Sequence, residues 1–382
     1  MRRINRKTKP SICFVAHNAY GVLANIDTGH IGGIEVQVPL MANWFAKRGF
    51  DVSLVTWDEG DGYPDGQLFD GVKNLQICKR TDGYPILRFF YPRWTSLLAA
   101  LDKADADIIY YNCGDLGLGQ VVQWARKHAR KVMYSVAAIV DCQRDLPSLK
   151  PYREKILYKY GLRRADKIVV QTLSQQNLLD SDFGLVSSII PMPSEGFADM
   201  NKLAHCQSIS EGRRILWVGR FQEEKRIEWL LDLAECCPAY CFDVVGSSNS
   251  DSEYAMRMTR RAEALNNVFL HGRVSHDELG AFYSSAHLLC STSIYEGFPN
   301  VFLEAWSVGL PLVTTFDPDG VISNYKMGRV VDNVQSLANA LIELEETFVW
   351  NSCAASALDY YNSRHSVDAV MEQFESEMLK LV

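Results

Sequence analysis

The most informative stretch of the chain reads IYEGFPNVFLEAW and begins at residue 294. Pro299 suits the first turn of a helix, because proline lacks the N–H group that a first turn leaves unbonded. Gly297, just before it, allows a ligand to approach the backbone closely. The N–H groups of Asn300 and Val301 would then point out of the helix N-terminus, which favours an anion. The stretch therefore predicts an anion site where a helix begins.

Two carboxylates flank this predicted anion site. Glu296 lies in the loop before the helix, and Glu304 lies on the helix, so they would meet different parts of one ligand. The phosphates of a sugar diphosphate need hydrogen-bond donors, while its hydroxyl groups need acceptors. The pattern therefore favours a sugar diphosphate, although Glu304 alone is typical of a solvated helix surface.

Two further groups lie at predicted strand-to-helix junctions. In VGRFQEEKR, Arg220 and Lys225 follow a predicted strand, where two cations would neutralise a diphosphate and stabilise it as a leaving group. Gly32 and Gly33 precede an amphipathic stretch and would let a helix N-terminus approach phosphate. Taken singly, the cations are typical of solvated surface charges and the glycines of a tight turn. Their common position at such junctions favours the functional interpretation.

The elements that must position these residues follow an alternating pattern of short β-branched or aromatic runs and longer helical stretches. The runs predicted as strands are 11–16, 51–56, 107–112, 131–136, 167–172, 215–219, 242–246, 268–271, 288–291 and 311–315. Near-continuous apolar runs indicate strands buried on both faces, and helical spacers imply parallel βαβ units. The sequence predicts an α/β protein with two doubly wound, Rossmann-like sheets, facing each other across a cleft.

A boundary between the two sheets is expected within 191–212, which is rich in Pro, Gly, Ser and Asn and has no clear strand pattern. We predict an N-terminal domain over 1–195 and a C-terminal domain over 196–365, followed by a final segment over 366–382.

Composition excludes several classes of protein. The 382 residues include 39 basic and 46 acidic ones, for a net charge of −7, which argues against a protein that wraps nucleic acid. No apolar run is long enough for a signal peptide or a membrane span. The ten cysteines show no repeated CxxC spacing, which fits reduced thiols in a cytoplasmic protein.

Taken together, the motifs resemble the retaining glycosyltransferases of family 4, the group 1 glycosyl transferases, which have the GT-B fold. The resemblance rests on GGIEVQVPLMANWFAKRGFDVSLVT, WVGRFQEEKRIEWLL and YEGFPNVFLEAWSVGLPLVTT, and it covers nearly the whole chain. It implies transfer of a sugar, with retention, from a nucleotide-diphosphate sugar to a glycan or lipid-linked acceptor. The implied setting is the synthesis of a surface polysaccharide or glycoconjugate. No cofactor or metal is expected.

The resemblance also implies roles for individual residues. Arg220 and Lys225 would hold the donor diphosphate, Glu296 would contact hydroxyl groups of the transferred sugar, and Glu304 would bind the ribose. The other implied donor contacts are Gly32, Gly33, Arg273, Val274, Gly297, Phe298, Asn300 and Val301, of which Arg273 and Val274 would meet the base.

The resemblance implies functions for the domains as well. The N-terminal domain would bind the acceptor, and the C-terminal domain would bind the nucleotide sugar. Segment 366–382 would form a helix that crosses back onto the first domain.

The chain departs from the family at one position. Many relatives have a histidine after the fifth strand of the first domain, close to the sugar, whereas the corresponding run here continues to Asp141 without one. Asp141 would replace it in part, or would be an ordinary N-cap or loop residue. His17, at the end of the first strand, is the other candidate, with a structural role as its alternative.

Three alternatives stay open at this point. The first alternative is that the chain is a nucleotide-sugar epimerase of similar architecture. The second is that it is a sugar-nucleotide-binding protein without turnover. The third concerns a metal ion. Asp317-Pro318-Asp319 would hold a metal on the diphosphate, although it is also good turn chemistry.

The acceptor leaves a further choice. Segments 79–94 and 150–164 mix basic and aromatic residues, which is typical either of contact with an anionic membrane or of a solvated amphipathic helix. We expect the protein in the cytoplasm. In the case of membrane contact, these segments would hold it peripherally at the inner face of the membrane. The donor's base and sugar are not determined by these residues.

Overall fold

The computed structural model describes residues 9–26, 28, 32–85, 87–197, 213–246 and 252–382. It divides the chain into two compact units. The first comprises Met1–Pro193 with Asp368–Val382, and the second comprises Ser194–Val367. Most of the expected boundary, residues 198–212, lies outside the described residues. Within the described ranges, no helix is both long enough and apolar enough to cross a membrane.

The first unit contains an eight-stranded sheet with helices between the strands. Its strands are β1 (Ile12–Val15), β2 (Val52–Thr56), β3 (Leu68–Phe69), β4 (Val72–Gln76), β5 (Ile108–Tyr111), β6 (Lys131–Ser135), β7 (Lys167–Val170) and β8 (Ser188–Ile189). Its helices are α1 (Tyr20–Ala24), α2 (Gly33–Lys47), α3 (Thr95–Ala104), α4 (Gly117–Lys127), α5 (Tyr152–Leu162) and α6 (Leu173–Phe183). The order is β3-β4-β2-β1-β5-β6-β7-β8, and only β3 and β4 pair antiparallel.

The second unit contains a six-stranded sheet that is parallel throughout. Its strands are β9 (Arg214–Val218), β10 (Cys241–Val245), β11 (Val268–Gly272), β12 (Leu288–Ser291), β13 (Leu312–Thr314) and β14 (Gly328–Val330). Its helices are α7 (Ile227–Cys236), α8 (Glu253–Glu263), α9 (His276–Ser285), α10 (Asn300–Ser307), α11 (Val321–Tyr325), α12 (Val334–Glu343) and α13 (Thr347–Arg364). The strand order is β11-β10-β9-β12-β13-β14. Successive strands are added on one side of β9 as far as β11, and then on its other side from β12 to β14. In open α/β sheets such a reversal is where ligands bind, at the carboxyl ends of the strands.

Every run predicted as a strand contains one, so the prediction of two doubly wound sheets is confirmed. Four strands, β3, β4, β8 and β14, were not predicted. Three of them have only two or three residues, which is too short for a period to show. The fourth, β4, reads VKNLQ and buries the polar side chain of Asn74 completely, so it lacks the apolar run that marked the others.

The last helix, α14 (Val367–Leu379), packs on the core of the first unit. Met371, Phe374 and Met378 are fully buried, and the Phe374 ring meets the Tyr110 ring edge-on with centroids 6.1 Å apart. At the start of the helix, the Trp44 indole N–H donates to Asp368 at 2.7 Å. The end of the sequence therefore completes the hydrophobic core that its first half begins.

We expect Phe374→Ala to lower the free energy of unfolding of the first unit by about 3–5 kcal/mol, because it removes a buried ring and leaves a cavity. Glu372→Ala changes an exposed residue on the same helix and serves as the control. Denaturant unfolding of both variants measures the difference. Equal stability of the two variants would show that α14 is not part of this core.

Candidate active site

The predicted anion site forms at the start of α10. Pro299 has extended backbone (φ −68°, ψ 124°) and precedes the helix, which begins at Asn300, so the proline caps the helix instead of lying in its first turn. The Pro299 carbonyl accepts from the Phe302 N–H at 3.0 Å. Phe302 and Trp306 are fully buried, which fixes the helix against the sheet. The amino end of α10 is therefore held firmly at the carboxyl edge of the sheet.

Lys225 and Glu296, from two different motifs, form an ion pair. Lys225 ends a short 3₁₀ turn, Glu223–Lys225, in the loop after β9, whereas Glu296 lies in the loop between β12 and α10. The two side chains are 23% and 19% exposed, so solvent still reaches the pair. The Ile294 N–H donates to the Glu224 carbonyl at 2.8 Å and joins the two loops. A cation and an acceptor therefore stand side by side beside the start of α10.

Arg220 lies in the same loop as Lys225, and its side chain is exposed. Within the described ranges, it forms no ion pair with an acidic side chain. Its positive charge is therefore not neutralised locally, whereas that of Lys225 is shared with Glu296. An uncompensated guanidinium at this edge suits a phosphate ligand, which it can bind through two parallel hydrogen bonds.

Glu304 is half-buried on α10, and its carboxylate accepts from the Tyr283 hydroxyl at 2.7 Å. Tyr283 lies on α9 and is completely buried. Burial, together with the charge of Glu304, raises the pKa of Tyr283 well above its usual value, so the phenol keeps its proton and donates. Tyr283 thereby orients the carboxylate. The sequence did not reveal this partner, because a tyrosine within a helical pattern is typical of a core.

The carboxyl ends of β9, β10 and β11 approach one another closely. Gly246 has φ +119°, and a Cβ there would lie 2.0 Å from the Gly219 carbonyl oxygen. The Gly246 N–H donates to the Gly272 carbonyl at 2.7 Å. Arg273, which is exposed, and Val274, which is half-buried, come next in the chain. The two predicted base contacts thus follow the outermost of these three strand ends.

The remaining predicted donor contacts lie in the loop before α10 and in the first turn of that helix. Gly297, in the loop, and Val301, on the helix, are half-buried. The Phe298 ring packs against Trp306 and His365, with centroid distances of 6.0 and 5.0 Å. The Phe298 side chain therefore anchors the loop to α10 and to the end of α13. Because its ring is engaged in this packing, Phe298 is expected to contact a ligand through its backbone.

In the first unit, α2 begins at Gly33, and Gly32 caps it with extended backbone. A Cβ at Gly32 would lie 2.5 Å from the Glu35 carboxylate, so that carboxylate lies against the backbone at the helix start. The Glu35 carboxylate also accepts from the Asn18 amide at 3.3 Å. A phosphate that approached the backbone at Gly32 and Gly33 would therefore meet the negative charge of Glu35. The prediction from sequence did not take this charge into account.

The two candidates for the family histidine occupy different environments. Asp141 is the third residue of a 3₁₀ turn, Ile139–Cys142, whose N-cap is Ala138, and its carboxylate accepts from the Ala138 N–H at 3.0 Å. It is buried, so it is neither the N-cap nor a solvated loop residue. Burial raises its pKa to about 6. His17 follows β1, is half-buried, and packs against Trp57 with ring centroids 5.0 Å apart and the ring planes tilted by 34°. Desolvation lowers the pKa of His17 and keeps it neutral.

Arg226 was not predicted to have a role, yet it joins three loops. Its backbone is left-handed (φ 45°). Its guanidinium donates to the Thr292 carbonyl and to the Thr315 hydroxyl, both at 2.9 Å, and lies 4.0 Å from the Trp229 ring centroid. The Thr292 hydroxyl donates in turn to the Lys225 carbonyl at 2.6 Å. Arg226 is therefore a positioning residue that fixes the loop carrying Lys225.

Asp317, the rival metal ligand, uses both oxygens to cap α11. It accepts from the Ile322 N–H at 2.8 Å, from the Ser323 N–H at 3.1 Å and from the Ser323 hydroxyl at 2.8 Å. These contacts favour the turn interpretation of Asp317-Pro318-Asp319. Within the part of the chain that the structure describes, no group of three or more His, Cys, Asp or Glu residues is arranged to hold a metal ion.

Two family models match the chain. The glycosyl transferase 4-like domain matches residues 32–187, and glycosyl transferases group 1 matches residues 212–347. The chain belongs to the group 1 glycosyltransferases of the GT4-like type. This glycosyltransferase is 22% identical over 292 residues to an uncharacterised 41.2 kDa protein in the cps region of Klebsiella pneumoniae, covering 71% of this chain and 79% of that one.

Solved structures show the same fold. Sucrose-phosphate synthase from Thermosynechococcus elongatus matches with a TM-score of 0.78 at 18% identity, covering 98% of this glycosyltransferase and 99% of that chain. HepE from Anabaena, in complex with UDP and glucose, matches with a TM-score of 0.73 at 16% identity, covering 98% and 100%. The chain has the GT-B fold, as the sequence predicted.

The contacts of Arg226 predict its effect on catalysis. We expect Arg226→Gly to lower kcat roughly tenfold to a hundredfold, because the loop carrying Lys225 loses two anchors and small misplacements cost that much. Glycine tolerates the left-handed backbone, so the melting temperature should change little. Arg226→Lys, which retains a cation and a donor, should recover part of the rate.

Steady-state kinetics and thermal melting of these variants test this role, with Arg260→Ala, on the exposed side of α8, as the control. If kcat falls only in proportion to the fraction of protein that is folded, Arg226 stabilises the fold and does not position the loop for catalysis.

Proposed function

We propose that this glycosyltransferase moves a sugar from a nucleotide-diphosphate sugar to a glycan or lipid-linked acceptor, with retention of anomeric configuration. The ion pair between Lys225 and Glu296 is the observation that carries the proposal. It puts a cation and a hydroxyl acceptor side by side, as the junction between a diphosphate and a sugar requires. The relative in the cps region supports polysaccharide synthesis as the setting.

The second unit would bind the donor through three kinds of group. Arg220 and Lys225 would bind the diphosphate, and the amino end of α10 would add backbone donors and its dipole. Glu296 would accept from hydroxyl groups of the sugar. Glu304, oriented by Tyr283, would accept from the ribose. HepE was solved with UDP and glucose, so uridine diphosphate sugars are the first donors to test.

The reaction would break the bond between the anomeric carbon and the diphosphate oxygen. Negative charge grows on the diphosphate as this bond breaks, and preorganised cations lower the barrier by stabilising it. When the donor binds, the phosphate would share Lys225 with Glu296 or displace that carboxylate toward the sugar. The acceptor hydroxyl would attack the face that the diphosphate leaves, with a phosphate oxygen taking its proton.

The alternatives make different predictions for purified protein. A nucleotide-sugar epimerase would convert its substrate without any acceptor, and a binding protein would retain donor affinity with no turnover. Incubation with a panel of nucleotide sugars, with and without acceptors, separates the three. Formation of an epimerised nucleotide sugar in the absence of acceptor would contradict the proposal.

The diphosphate clamp gives the first kinetic prediction. We expect Arg220→Ala and Lys225→Ala each to lower kcat by roughly 10²-fold or more, because each removes a charge that stabilises the leaving group. Turnover should fall much further than the melting temperature, since both side chains are at least partly exposed.

The matched control is Arg260→Ala, which removes an exposed arginine from α8 of the same unit and should leave kcat unchanged. Near-normal turnover in either Arg220→Ala or Lys225→Ala would contradict the clamp.

Retention gives the second prediction for this site. We expect the anomeric carbon of the product to keep the configuration it has in the donor, because attack occurs on the face of the leaving diphosphate. Proton NMR of the first product formed measures the anomer directly. A product of inverted configuration would require attack from the opposite face with a protein group as the base, and would overturn the proposed mechanism.

The third prediction concerns metal. We expect turnover to continue in excess EDTA, because Arg220, Lys225 and the amino end of α10 supply the positive charge that a metal would otherwise provide. Rates are compared in EDTA and after addition of Mg²⁺ or Mn²⁺. Loss of activity in EDTA that metal restores, and that Asp317→Ala abolishes, would identify Asp317 as a ligand instead of a helix cap.

A further inference from the structure

Two segments of the first unit, 79–94 and 150–164, come together in the structure. Arg153, at the start of α5, lies over the Phe89 ring, with its guanidinium carbon 4.8 Å from the ring centroid. The two segments, described except for residue 86, therefore meet at this contact, and their combined surface is here called the basic aromatic surface. The proposed sugar transfer does not use this patch.

The charge of the basic aromatic surface is opposite to that of the whole chain. Its two segments contain ten Lys and Arg residues and two acidic residues, although the chain carries a net charge of −7. Of these basic residues, only Arg80 forms an ion pair with another described residue, Glu59. Positive charge is therefore concentrated here and largely left without acidic partners, which favours a negatively charged partner.

Large apolar side chains stand among these charges. More than half of the side-chain surface is exposed in Tyr84, Leu87, Phe90, Tyr91, Tyr152 and Ile156. Tyr152 and Ile156 lie one turn apart on α5 and so project from the same side of that helix. A group of exposed apolar side chains within a charged surface marks an interaction site.

We propose that the basic aromatic surface docks this protein on an anionic lipid bilayer. Tyrosines occupy the headgroup region of a membrane, and Lys and Arg attract acidic headgroups. Leu87 and Ile156 favour a bilayer over a nucleic acid, because aliphatic side chains enter the acyl boundary but do not stack on bases. A symmetric contact with a second copy would place two positive surfaces against each other.

The inner side of this surface lies beside the carboxyl edge of the first sheet. The Arg93 guanidinium carbon is 5.5 Å from the Trp57 ring centroid, and Trp57 packs against His17, which follows β1. Carboxyl edges of such sheets are where ligands bind. Docking would thus bring the bilayer near that edge, which suits a lipid-linked acceptor if the proposed function is correct.

Vesicle sedimentation tests the docking without any sugar substrate. The full chain is mixed with vesicles of phosphatidylcholine alone or of phosphatidylcholine with phosphatidylglycerol. We expect binding to the second kind only, weakening as salt is added. The double variant Lys150→Gln/Arg153→Gln should bind roughly 25-fold more weakly, since each basic residue near an anionic surface contributes about a fivefold change.

The matched control, Arg126→Gln/Lys127→Gln, removes the same two charges from exposed positions at the end of α4. Tyr84→Ser/Tyr152→Ser tests the apolar part, with Phe348→Ser, equally exposed in the second unit, as its control. Both controls should bind like the unchanged protein. Hydrolysis of a nucleotide sugar should stay normal in all variants, so failure of docking is distinguishable from failure of the proposed function.

Three outcomes would overturn the proposal. The first is that the unchanged protein shows no preference for anionic vesicles. The second is that the control variants lose as much binding as the test variants. The third is that the unchanged protein does not bind vesicles but forms a dimer in sedimentation velocity, which Tyr84→Ser/Tyr152→Ser abolishes. That last result would make the basic aromatic surface an interface between two copies of the chain.

Discussion

Parallel pairing of β9 with β12 determines where the charged residues of the second unit meet. The register sets Leu216 opposite Leu289, so both strands run the same way and end at one edge of the sheet. The loops that follow therefore lie side by side and share a backbone hydrogen bond. Lys225 and Glu296 touch although 71 residues separate them in the chain. The ion pair at the candidate site is thus a consequence of sheet topology.

The same topology explains why the charges lie at the edge and not within the sheet. All residues of β12 and β13 are buried, and an unpaired charge there would carry a large desolvation cost. At the carboxyl edge, solvent reaches the side chains, and backbone carbonyls and hydroxyls are available as partners. Arg226 donates to such neutral partners, so it joins three loops without forming an ion pair with an acidic side chain of the described residues. The local field at the edge thereby remains favourable for phosphate.

The carboxyl edge of the first unit has a different chemical character. The Glu35 carboxylate lies at the start of α2, where the sequence predicts contact with a phosphate. Asp141, a candidate for sugar contact, accepts a hydrogen bond within its own turn. A carboxylate therefore stands at each of these predicted contact positions. Carboxylates repel phosphate but accept hydrogen bonds from hydroxyl groups. The contact between Gly33 and a diphosphate stays a prediction, and a competing negative charge stands beside it.

The sequence by itself determined the two sheets and the positions of most strands along the chain, because strands buried on both faces leave short apolar runs bounded by turn residues and helical stretches. It also indicated Arg220, Lys225 and Glu296, since charged residues in the loops after such runs lie at the edge where ligands bind, and Glu304, on the helix that follows one of these loops. Those inferences depend on local spacing, and local spacing is visible in one dimension.

Only the tertiary structure decided which of these residues touch and what holds them. The pairing of Lys225 with Glu296, the orientation of Glu304 by Tyr283 and the anchoring by Arg226 join residues from separate βα units, and no spacing rule connects them. The strands β3, β8 and β14 likewise exist only because a neighbouring strand supplies their hydrogen bonds. A contact between distant segments is fixed by the register of the sheet and the packing of the helices, and a linear pattern carries neither.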